Sequence, residues 1–113
     1  MQNITPENYQ QLNLSPETLA IRLSQQRSIY GEHSEALYLT SSFLFDDAQQ
    51  AYNRFTDKEG GYTYSRADNP TITNFTNKLA VLENAESCVA TSSGMSAILA
   101  TMMAFLNAGD EII

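Results

Sequence analysis

The sequence predicts an α/β fold in which helices are layered on a parallel sheet, and three observations carry that expectation. From Pro70 onward the apolar residues switch between helical periodicity and short continuous runs, in the order helix, strand, helix, incipient strand. Within that order, residues 88–98 pass from an apolar run through Thr91, Ser92, Ser93 and Gly94 into a helical stripe, the pattern of a strand, a small-residue turn and a helix start. At the far end, Asn107-Ala108-Gly109-Asp110 closes a helix and Glu111-Ile112-Ile113 begins another apolar run, so the chain reads as the opening portion of a longer protein.

The elements follow in order. Residues before Ser15 read as a polar arm. Ser15-Pro16-Glu17 is an N-cap followed by proline at the first helical position, with Leu19, Ala20 and Leu23 as a narrow apolar stripe. Residues 36–40 and 43–45 read as extended chain broken by a Ser41-Ser42 turn. Asp46 or Asp47 then caps a helix whose Ala48, Ala51, Tyr52 and Phe55 fall on one face. Gly60-Gly61 breaks it, a loop runs to Asn69, and Pro70 opens a helix on which Ile72, Phe75, Leu79 and Leu82 keep period until about Asn84. A strand over residues 87–91 follows. The last helix carries Ala97, Ile98, Thr101, Met102 and Phe105 on a wide face suited to a sheet. The change of character near Tyr64 divides the chain into an N-terminal arm or small domain over residues 1–63 and the start of the α/β layer over residues 64–113.

Composition narrows the function classes. Of 113 residues, 42% are hydrophobic and 17% charged, with 5 Gly and 3 Pro, a composition that forms a globular core at a length sufficient for one small domain. Thirteen acids against six bases give a net charge of -7, and the bases are scattered, which argues against nucleic-acid and acidic-membrane surfaces; any anion must be held by local geometry. The single Cys88 has no partner for an intrachain disulfide and reads as a small buried hydrophobe, while the lone His33 lacks a second ligand at metal spacing and reads as a loop histidine. The N-terminus lacks a basic segment followed by an apolar core, and residues 97–106 are too short to cross a bilayer, so a cytoplasmic protein is expected. The sequons at Asn3 and Asn74 are then accidents of composition.

Two short motifs are able to carry chemistry. The Ser92-Ser93-Gly94-Met95 turn reads first as a capped helix, yet a helix start with open amides at Gly94 and Met95 also suits one phosphate group. The lysine of a nucleotide P-loop and the further glycines of a dinucleotide fingerprint are missing, which disfavours ATP and NAD. In Tyr64-Ser65-Arg66 a phenol stands two residues from a guanidinium, whose planar fork binds phosphate bidentately; alone, the segment reads as a surface loop with a solvated arginine. Asp68-Asn69-Pro70-Thr71 reads as a turn and helix start, and Lys58 and Lys78 as solvated lysines, the second on the outer face of its helix.

Taken together and in order, residues 64–71, 79–86, 92–98 and 109–113 resemble the Cys/Met-metabolism (trans-sulfuration) family of pyridoxal-phosphate enzymes, and residues 18–22 and 31–42 extend the likeness, nearest to its O-succinylhomoserine sulfhydrylase members. The resemblance implies a type I, aminotransferase-like fold, of which this chain would hold the arm and the first elements of the pyridoxal-phosphate domain. It implies that the amides of Gly94 and Met95 bind the cofactor phosphate and that Tyr64 and Arg66 reach the phosphate held by a neighbouring subunit, so that a homo-oligomer, a dimer of dimers, would share each site. It further implies that Tyr64 helps position or deprotonate the amino group of a small amino-acid substrate. The implied reaction is γ-replacement, in which O-succinylhomoserine loses succinate and accepts sulfide to give homocysteine in methionine biosynthesis; cystathionine γ-synthase and methionine γ-lyase share the same blocks. The lysine that carries the cofactor falls later in such enzymes, so residues 1–113 alone are expected to be inactive. A non-catalytic phosphate-binding or assembly module is the alternative from another class, should Ile113 be a true C-terminus.

Overall fold

The computed structural model describes residues 4–25 and 27–113; the sequon at Asn3 lies outside them. Four α-helices stand in the expected order, α1 over Pro16–Arg22, α2 over Ala48–Phe55, α3 over Pro70–Leu82 and α4 over Gly94–Phe105. Each begins where a short polar side chain replaces the missing backbone acceptor of the first turn. Ser15 accepts from the Thr18 amide, Asp47 from Gln50, Asn69 from Thr71 and Ser93 from Ser96. The end of α3 is equally local. Asn84 adopts a left-handed conformation (φ 52°), the Ala85 amide reaches the Ala80 carbonyl at 2.8 Å and the Asn84 amide that of Val81 at 3.2 Å, which satisfies carbonyls of the last turn. After α4 the chain turns at Asn107, whose amide donates to the Asp110 carboxylate at 2.7 Å.

The core lies between α1 and α3. Leu19, Leu23 and Ala80 are the buried apolar residues among those described, and Leu23 is fully enclosed. Ala20, expected on the same stripe, faces out. The arm is more structured than its polar composition implies. It carries a 3-10 turn over Tyr9–Leu12, and Ile4 pairs with Leu23 through a parallel bridge in which the Ser24 amide donates to the Ile4 carbonyl at 2.8 Å.

Three expectations are corrected. Residues 87–91 carry no ladder hydrogen bonds, because a strand is defined by its neighbour and the described bridges join other segments, Ile4 to Leu23 and Ser42 to Tyr64. The apolar faces are present but open, with Phe55, Ile72, Phe75, Ile98 and Phe105 all exposed. A Cα radius of gyration of 17.3 Å, against roughly 13 Å for a compact domain of this length, reflects the same openness. Lys78 does not lie on a solvated face: its side chain is 16% exposed and forms an ion pair with Glu35. Burial pushes its ammonium below the ordinary lysine value, which makes the carboxylate partner important. His33 is a hydrogen-bonded loop residue, its carbonyl accepting from Arg22 and Gln25. No described helix is long and apolar enough to cross a membrane.

Candidate functional site

The loop that carries Tyr64 and Arg66 is fixed from two sides. Behind it, α2 projects Arg54, which donates to the Tyr62 carbonyl at 3.5 Å, pairs with Glu59 at 3.5 Å and lies over the Phe45 ring at 5.7 Å. Gly61 has φ 146°, and a Cβ there would meet Arg54 Nε at 2.7 Å, so the Gly60-Gly61 break exists to let backbone pass under this guanidinium. In front, the loop pairs with residues 40–43. The Phe43 amide donates to Thr63 at 3.2 Å and the Ser65 amide to Ser41 at 2.9 Å, forming the Ser42–Tyr64 antiparallel bridge.

After Tyr64 the chain turns, with the Ala67 and Asp68 amides both donating to the Tyr64 carbonyl at 2.9 and 3.1 Å. That turn brings side chains two apart to the same side, and the Arg66 guanidinium carbon sits 5.3 Å from the centre of the Tyr64 ring. Among the described residues no carboxylate pairs with Arg66. Asp68, the nearest acid in sequence, spends its Oδ1 on the Asn69 amide at 2.8 Å and the Thr73 hydroxyl at 2.7 Å. In a chain with twice as many acids as bases, an exposed arginine without an acidic partner is an anion receptor in waiting.

Tyr64 and Arg66 line an open cavity of about 700 Å³ with Phe43, Phe45, Arg54 and Phe55. Arg66 also borders a second groove, of about 420 Å³, that runs past Asp68, Ile72 and Cys88 to Thr91 and Ser92. Cys88 is half-buried at that wall rather than enclosed in a core. The groove stops short of Gly94 and Met95, which line neither cavity.

At the start of α4 the Ser93 side chain accepts from the Ser96 amide at 3.1 Å, and the Ala97 amide closes on the Ser93 carbonyl. This leaves the amides of Gly94 and Met95 without an acceptor among the described residues, directed along the positive end of a twelve-residue helix. Nothing lies within 4 Å of a Cβ at Gly94, so an anion meets no protein atom on that side. The structure thus brings Tyr64 to Arg66, and Gly94 to Met95, as two separate half-sites.

One residue dismissed as a turn former proves central. Asn69 is 5% exposed; its Oδ1 caps α3, while its Nδ2 donates to the Tyr38 carbonyl at 3.0 Å and the Ser65 hydroxyl at 2.9 Å. The Asn-Pro pair announces the cap, but contacts 31 residues away leave no local signal.

An arginine-phenol pair beside an open helix start suits a phosphate-bearing cofactor, and the backbone agrees with that class. The chain matches a crystal structure of a protein assigned as an O-acetylhomoserine (thiol)-lyase from Campylobacter jejuni, which holds N′-pyridoxyl-lysine-5′-monophosphate. The TM-score is 0.78 at 30% identity, covering 87% of this chain and 24% of that one. The chain belongs to the Cys/Met metabolism PLP-dependent enzyme family, whose model matches residues 17–113, and pyridoxal phosphate is the cofactor of that family. It is 48% identical over 97 residues to the O-succinylhomoserine sulfhydrylase of Pseudomonas aeruginosa, covering 86% of this chain and 24% of that protein. It is 46% identical over 96 residues to an L-methionine gamma-lyase of Fusobacterium nucleatum, covering 85% and 24%. The chain therefore spans about a quarter of the length of these relatives.

Proposed function

We propose that the chain forms the phosphate-gripping part of a pyridoxal-phosphate enzyme of the type I fold that carries out γ-replacement on O-succinylhomoserine with sulfide, giving homocysteine. The observation that carries this reading is the unpaired Arg66 guanidinium stacked against Tyr64 on a braced loop, in a chain of this family. A phosphate dianion fits both half-sites: the fork of Arg66 matches two phosphate oxygens, and the Gly94 and Met95 amides have donors to spare.

When bound, the cofactor supplies the electron sink that lets an amino acid lose protons and its γ-substituent. The chain's own residues bind and orient. Arg66 neutralises phosphate charge, Gly94 and Met95 fix the phosphate's direction, and the Tyr64 hydroxyl holds or moves a proton at the substrate amino group. The two half-sites line different cavities, which supports a division of labour in which Tyr64 and Arg66 of one subunit serve the phosphate bound at Gly94 and Met95 of its neighbour, in a homotetramer built as a dimer of dimers. Neither described lysine near the site is a candidate to carry the cofactor: Lys58 lies over the Tyr52 ring at 4.9 Å and Lys78 is paired with Glu35.

The 46% identity to a methionine gamma-lyase favours a second reading, γ-elimination from methionine. Assay of the full chain separates them. Homocysteine formed from O-succinylhomoserine and sulfide supports the first; 2-oxobutanoate formed from methionine, without that product, replaces it by the second. Arg66→Ala is expected to raise the dissociation constant for pyridoxal phosphate tenfold to hundredfold, the loss of a hydrogen bond to a charged group. An unchanged constant removes the anion role.

A further inference from the structure

We propose that Asn69 and Ser65 are positioning residues that hold Arg66 and Tyr64 for phosphate, and that the Asn69 side-chain amide, rather than its helix-capping oxygen, performs this role. The inference rests on the reading of Arg66 as a phosphate ligand.

Capping α3 requires only Oδ1, which accepts from the Thr71 amide at 2.9 Å; serine or aspartate would cap as well. The two Nδ2 donations exceed that requirement. One reaches the Tyr38 carbonyl, whose residue is tied to α3 a second time by its own amide, donating to the Thr71 hydroxyl at 2.9 Å. The other reaches the Ser65 hydroxyl, which passes its own proton to the Thr40 carbonyl. Ser65 stands between Tyr64 and Arg66, and its amide is fixed to Ser41 as well. A continuous donor chain, Asn69 to Ser65 to Thr40, therefore clamps the one residue whose backbone sets both anion-side side chains. All of these donors and acceptors are satisfied and Asn69 is nearly sealed from water, so the geometry is held rather than sampled.

The test uses the full chain freed of cofactor and titrated with pyridoxal phosphate and, separately, with pyridoxal, which lacks the phosphate. Asn69→Ser keeps a neutral cap but is too short to make the Nδ2 bonds; Ser65→Ala breaks the same chain without touching α3, and Ser65→Thr restores the hydroxyl. Both Asn69→Ser and Ser65→Ala are expected to weaken pyridoxal phosphate about tenfold, the worth of one buried hydrogen bond, with pyridoxal unchanged and Ser65→Thr near the starting value. Loss of both ligands together in Ser65→Ala, or of neither, overturns the inference. Arg66→Ala runs alongside: if it leaves the phosphate preference intact, the underlying site reading fails, whereas a loss there with no change in the two positioning variants defeats this inference alone.

Discussion

The two half-sites are built on opposite plans. The loop around Tyr64 and Arg66 is braced by partners from 25 to 31 residues away, through Thr40 and Tyr38, and by Arg54 from α2. The start of α4 is held by bonds within one turn, Ser93 to Ser96 and Ser93 to Ala97, and its apolar side chains touch little else. An arginine needs distant bracing because its long side chain has many rotamers to lose, whereas backbone amides are already aimed by the helix that contains them. A phosphate can thus be gripped by one long-range device and one local device, and only the second is written in consecutive residues.

The sharpest way to break this contrast is to remove a donor from the local device without disturbing its shape. Proline is accepted at the first helical position and lacks the amide, and Ser93 before it is already extended (φ -158°, ψ 159°), as a residue preceding proline prefers. Gly94→Pro in the full chain is expected to raise the dissociation constant for pyridoxal phosphate about tenfold with an unchanged melting temperature. Mixing Gly94→Pro subunits with Arg66→Ala subunits should then regenerate one intact site per hybrid pair; absence of recovery would place both half-sites in a single subunit's cup.

A smaller effect is expected at the cap itself. Ser93→Ala removes the acceptor for the Ser96 amide and should cost about 1 kcal/mol, seen as faster hydrogen exchange at the first turn of α4 and not at residues 64–69. Exchange accelerating equally in both places would contradict the local plan.

The smallest effect concerns a third, also local, brace. The Ser28 hydroxyl and amide donate to the Glu32 carboxylate at 2.7 and 2.8 Å and hold its pKa below the ordinary glutamate value. The contribution of this brace is present above the ordinary value and is lost as pH falls through the lowered one. Protection of the Ser28 amide should therefore decline on acidification in that window, with Glu32→Gln flattening the profile.

What was legible in the sequence follows the same division. Ser15, Asp47, Asn69 and Ser93 cap their helices where the residue types indicate, because a cap is a contact across three residues or fewer. The order of elements was readable for the same reason. The apolar run at residues 87–91 was not convertible into a paired strand, since pairing is a property of two segments. Lys78 was misplaced because helical period gives a residue's angle but not what approaches it, here Glu35 from a loop. At the site, Tyr64, Arg66, Gly94 and Met95 could be picked out by chemical type, while Asn69 could not, its surplus donors being visible only once Tyr38 and Ser65 are in place.

The bonds from Asn69 to Tyr38 and from Ser65 to Thr40 also close a ring of chain with α2 inside it. Closing such a ring costs conformational entropy that grows only slowly with its length, by about 0.6 kcal/mol for each doubling. The phosphate-facing loop is thus assembled when the ring shuts and not when its own residues leave the ribosome. Extra residues inserted between α2 and Gly60 would delay this closure little, whereas a change at Thr40 or Tyr38 would leave Arg66 on an unlatched strap.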